Sequence, residues 1–88
     1  MRIKKDFILR QVADTHVVLP IGSATVNFNG MITLNESGVM LWRKLEEGAT
    51  REKLAELLTA EYSVSLEEAL EDVDEFVATL DRAGSIEH

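Results

Sequence analysis

Carboxylates are the densest chemical feature of this sequence. Glu67, Glu68, Glu71, Asp72, Asp74, Glu75 and Asp81 fall in one stretch whose nearest cation is Arg82. On a helix, residues three or four apart share a face, so several of these acids are neighbours. Paired carboxylates can ligate hard cations or exchange protons with a substrate. Either use needs company that is missing here. No histidine lies in the stretch and no EF-hand loop frames it. His16 falls in a strand-like segment and His88 is the last residue, so neither has a partner at metal-ligating spacing. Cysteine is absent, which removes thiol nucleophiles and thiolate metal sites together. No glycine-rich phosphate loop, GxSxG elbow or HExxH is present. Neither catalysis nor a metal or other cofactor is expected. Two readings of the acids remain: a solvated face whose first-turn acids favour the helix dipole, or an electrostatic docking surface for a basic peptide or protein.

The charge balance narrows the partners. The 88 residues carry a net charge of −7, and the basic residues are scattered apart from a small cluster at Arg2, Lys4 and Lys5. Nucleic-acid binding draws most of its affinity from Lys and Arg that neutralise phosphates. Neither nucleic acid nor an anionic membrane is therefore an expected partner. No apolar run approaches the roughly 20 residues that span a bilayer. The positive start leads only to Phe7-Ile8-Leu9 before Arg10 and Gln11 interrupt it, which is too short for a secretory signal. The expected compartment is the cytoplasm. A chain of this length holds one domain, residues 1–88, and one core. Without disulfides that core depends on packing, capping or a partner.

The elements that must position these residues follow from periodicity. Phe7–Val12 reads as a strand, Asp14-Thr15 as a turn and His16–Ile21 as a second strand ended by Pro20. Gly22-Ser23 turns the chain. Thr25–Phe28 and Met31–Leu34 flank Asn29-Gly30, a strong short hairpin signal because both residues tolerate positive φ. In that register Phe28 faces Met31 and Val26 faces Thr33, which leaves apolar groups on both faces of the ribbon. After Leu34 the period becomes helical. Asn35 caps a first helix that buries Leu41, Trp42 and Leu45 and stops at Gly48; Leu34 and Val39 have the spacing of a hydrophobic staple. Thr50 caps a second helix with Leu54, Leu57, Leu58 and Tyr62 inward. Ser65, with Glu68 as capping-box partner, starts a third, whose inner stripe is Ala69, Leu70, Val73, Phe76, Val77 and Leu80, closed by Gly84. Trp42, Met31 and Met40 are read as packing residues. The fold class is α+β: three to four short antiparallel strands followed by three α-helices.

In that order, the run Met31-Ile32-Thr33-Leu34-Asn35-Glu36-Ser37-Gly38 leads into Leu41-Trp42. It is followed by Gly48-Ala49-Thr50, Leu54 to Leu58, Glu61-Tyr62 and Asp72-Val73…Phe76…Leu80. Over nearly the whole chain this sequence resembles the PqqD-like family, named for the peptide chaperone of pyrroloquinoline quinone synthesis. Its most specific parts are the strand-to-helix step at Leu34-Asn35 and the spacing of Asp72, Val73, Phe76 and Leu80. The resemblance implies a winged helix-turn-helix-like recognition element for ribosomally made, post-translationally modified peptides. Such domains bind the leader segment of a precursor peptide and present it to a modifying enzyme, often a radical S-adenosylmethionine (SAM) enzyme. The leader adds as a strand to a sheet edge, in the cleft beside the third helix. Carried over, the peptide-binding residues are Met31, Ile32, Thr33 and Leu34 on the edge, with Asp72, Glu75, Thr79 and Arg82 on the facing helix.

One departure bears on that placement. The Asn29-Gly30 hairpin makes the segment before Met31 longer and more strand-like than the family pattern. Paired with Met31–Leu34, Thr25–Phe28 either occupies the leader's edge or extends the sheet on its other side. Two further readings compete. A winged-helix DNA-binding regulator would have to bring an acidic third helix into a groove. A structural or oligomerisation subunit would pair its open strand edge with a second copy as a homodimer.

Overall fold

The computed structural model describes residues 1–22, 25 and 32–88. In chain order the elements are β1 (Arg2–Ile3), β2 (Phe7–Val12), β3 (Thr15–Pro20), β4 (Ile32–Leu34), α1 (Glu36–Glu47), α2 (Arg51–Glu61), α3 (Leu66–Arg82) and β5 (Ile86–Glu87). The expected strand pair around Asn29-Gly30 lies outside the described residues from Val26 to Met31. Thr25 is described but not in a strand; its hydroxyl donates to the Gly22 carbonyl at 2.8 Å.

β2, β3 and β4 form a three-stranded antiparallel sheet in that order. The register places Leu9, Val18 and Ile32 in one row, and Gln11, His16 and Leu34 in another. Alternate side chains point to opposite faces. One face thus carries Phe7, Leu9, Val18, Ile32 and Leu34 into the core, while Thr33 shares the other with Val17 and Arg10. The turn between β2 and β3 falls at Ala13-Asp14, one residue earlier than expected, because Val12 pairs with Thr15. Ala13 takes φ 55° there. A positive φ at the first loop residue suits the right-handed twist of a tight hairpin but is unusual for alanine, so the residue types gave no signal for it.

The three helices start at the expected caps. Asn35 Oδ1 accepts from the Gly38 N–H at 2.9 Å, Thr50 Oγ1 from Lys53 at 3.1 Å and Ser65 Oγ from Glu68 at 3.1 Å. Each satisfies an N–H that the first turn leaves without an intrahelical partner. The Ser65 hydroxyl also lies 3.4 Å from Glu68 Oε1. Gly48 ends α1 with φ 96°, a value that glycine adopts without a Cβ clash. Trp42, Leu45, Leu54, Val73 and Leu80 are fully enclosed with Val18 beneath them. Full burial of a Leu or Val side chain contributes roughly 1.5–3 kcal/mol, so this cluster is the main source of stability. The Trp42 indole N–H donates to Glu46 at 3.2 Å.

Two further features depart from expectation. β1 and β5 pair antiparallel, Ile3 opposite Ile86, and tie the two ends of the chain across the helices. One strand therefore follows the helices rather than all preceding them. Ser85, buried at that junction, is satisfied by the Leu80 carbonyl at 2.8 Å. Tyr62 is exposed instead of inward. α2 ends at Glu61 and Tyr62 takes an extended backbone (φ −131°, ψ 153°), which carries its side chain off the helical stripe.

Candidate peptide-binding groove

β4 is an edge strand. Its pairing with β3 uses one side, and among the described residues nothing pairs with the other. An edge strand presents alternate N–H and C=O groups that a further chain can pair with. The side of β4 that no described residue pairs with faces a hollow of about 410 Å³ lined by Ile32, Thr33, Leu34, Asn35, Gly38, Phe76, Thr79 and Leu80, so α3 forms its opposite wall. A second hollow of about 450 Å³ shares Asn35, Gly38, Phe76 and Thr79 with the first. It continues past Ser37 and Leu41 to Leu58, Tyr62 and Val64, with Asp72 and Glu75 on the α3 side. The two are contiguous and together make one groove.

Gly38 sets the groove's width where the hollows meet. A Cβ placed there would lie 3.2 Å from Asn35 Oδ1 and 3.3 Å from both Leu34 Cβ and Phe76 Cε1. A side chain there would press on Leu34, Asn35 and Phe76, so glycine is what lets the first turn of α1 sit against the end of β4 and the Phe76 ring without crowding.

Of the residues carried over by resemblance, Ile32, Thr33, Leu34, Asp72, Glu75 and Thr79 all line the groove. Met31 lies outside the described residues. Arg82 lines neither hollow; its guanidinium donates to Thr79 Oγ1 at 3.4 Å, and that hydroxyl in turn donates to the Glu75 carbonyl at 3.0 Å. Sequence reasoning did not place Leu41, Leu58, Tyr62, Val64 and Phe76 in the groove. The half-buried Phe76 was counted with the core stripe, to which its other face does belong.

The acids of α3 divide into engaged and unengaged groups. Arg51 grips Asp74 with Nε at 2.6 Å and Nη2 at 2.8 Å. His88 lies 3.2 Å from Asp81. Asp72 and Glu75 have no ion-pair partner among the described residues. Nor do the described residues bring three or more His, Asp or Glu together as a metal site. Among the described residues, no helix is long and apolar enough to cross a membrane.

A strand edge unpaired among the described residues, facing a helix across a groove, belongs to a class of small α+β domains suited to taking up an extended peptide. The sequence profile described as coenzyme PQQ synthesis protein D (PqqD) matches residues 15–86, and the chain belongs to that family. The fold is similar to that of TbiB1 in complex with the TbiA(beta) leader peptide. The two are 25% identical with a TM-score of 0.79, over 99% of this chain and 95% of that one. It is also similar to lasso peptide synthetase B1 complexed with the leader peptide, at 24% identity and a TM-score of 0.75 over 96% and 93% of the two chains. Comparison with curated proteins gives no match.

Proposed function

We propose that the chain captures the leader segment of a ribosomally made precursor peptide as an added strand on β4. It then presents the peptide to a modifying enzyme, by family precedent a radical SAM enzyme. The observation that carries this reading is the side of β4 left unpaired among the described residues, turned toward α3 across a groove that mixes apolar side chains such as Ile32, Leu34 and Phe76 with polar ones. Backbone hydrogen bonds at such an edge supply affinity with little dependence on sequence, and pockets for alternate side chains supply selectivity. The proteins of similar fold that hold leader peptides support it. The peptide would meet Ile32–Leu34 on one side and Asp72, Glu75 and Thr79 on the other, with Met31 as a further contact and Arg82 acting through Thr79. The role is non-catalytic: the domain orients a substrate for chemistry done elsewhere.

Titration of the folded chain with the precursor peptides encoded beside its gene tests the reading. Saturable binding that is lost when the leader is removed is expected. Failure of every such peptide to bind the folded domain overturns it.

A further inference from the structure

We infer that the inner part of the groove selects a peptide carrying a Lys or Arg side chain next to an apolar anchor; this rests on the peptide-capture reading above. The two halves of the recognition come from different residues. Leu41, Leu58, Tyr62 and Phe76 give the hollow an apolar lining, and its volume of about 450 Å³ lies within the ~300–1,000 Å³ typical of sites that enclose small groups. Asp72 and Glu75 stand at the same hollow, three residues apart on one face of α3.

These two carboxylates differ from most of their neighbours. Asp74 is held by Arg51, Asp81 lies against His88, and Glu68 belongs to the Ser65 cap. Asp72 and Glu75 are left without a cation and repel one another across one helical turn. A peptide lying in the groove displaces water from beside them. Any acidic residue of the peptide at that point adds a third like charge beside a low-dielectric wall, whereas a basic one relieves the existing repulsion. The net charge of −7 acts in the same direction at longer range, by drawing basic segments to the domain.

Selection of a displayed library of random peptides on the full chain tests this without knowledge of the natural precursor. The best-bound peptides are then measured against the wild type and against Asp72→Asn/Glu75→Gln, whose exposed side chains leave the fold intact by circular dichroism and melting. The expected result is enrichment of Lys or Arg near an aromatic or aliphatic residue. The double variant should then weaken binding about three- to tenfold, the range for one or two exposed charge pairs. A peptide with that Lys replaced by Gln should bind both proteins equally. Groove-bound peptides with no basic enrichment, or with the same affinity for both proteins, overturn the charge selection while leaving peptide capture standing. A folded chain that enriches no peptide, or one whose groove is buried in a dimer with its own copy, overturns both.

Discussion

Arg51 and Asp74 form a two-pronged ion pair, Nε to Oδ1 at 2.6 Å and Nη2 to Oδ2 at 2.8 Å, that joins the first turn of α2 to the middle of α3. The Arg51 hydrogen bond holds the Asp74 carboxyl below the usual carboxylate range, and the same hydrogen bond holds the Arg51 guanidinium above its ordinary value. For Asp74 the folded pKa is the lower one. Its contribution to stability is therefore complete above the unfolded value and is lost as pH falls through the folded value. For Arg51, whose folded pKa is the higher one, the contribution is complete below its unfolded value for as long as Asp74 stays ionised. Asp74→Asn should lower the urea midpoint modestly at neutral pH, and less at high salt, because the pair is solvent-exposed. The difference from wild type should vanish in acid below the folded pKa. A difference that stays constant across that range contradicts this assignment.

The Ser65 cap is the next point of attack. Its hydroxyl is the acceptor for the Glu68 N–H at the start of the longest helix. Ser65→Ala should cost about 0.5–2 kcal/mol in urea unfolding, and Ser65→Asp should retain most of the stability.

Ala13 holds a left-handed backbone that glycine adopts more readily. Ala13→Gly should raise stability by up to about 1 kcal/mol, after the greater unfolded-state freedom of glycine is set against the relieved strain. Thermal melts of the two proteins check the sign.

Gly38 has no room for a branched side chain between Leu34, Asn35 and Phe76. Gly38→Val should cost roughly 1–3 kcal/mol through overpacking. Gly38→Ala should cost less, since better helix propensity offsets part of the crowding. Urea unfolding of both variants orders the two effects.

The helical half was the more legible in the sequence because its signals are local. Asn35, Thr50 and Ser65 cap the N-terminal N–H groups of their own first turns, and Gly48 needs only its own φ. β1 and β5 were invisible because two residues carry no period, and the pairing of Ile3 with Ile86 spans the chain. The pairing of β4 with β3 was also non-local: Val17 and Val18 occupy one side of β4, and no local signal joins segments that far apart in sequence. The two walls of the groove came from family resemblance, since no periodicity places Ile32–Leu34 opposite Thr79. Its inner end was missed because Tyr62 follows the inward stripe of α2 in sequence but leaves the helix one residue too early to obey it.

Strand addition to β4 is tested most directly by amide hydrogen exchange at Ile32, Thr33 and Leu34, with and without a saturating leader peptide. Slowed exchange at those β4 amides whose N–H groups point away from β3, together with cross-strand contacts between peptide and β4, is the expected result. A peptide that binds tightly while β4 exchange is unchanged, or that protects the β2 edge instead, contradicts it.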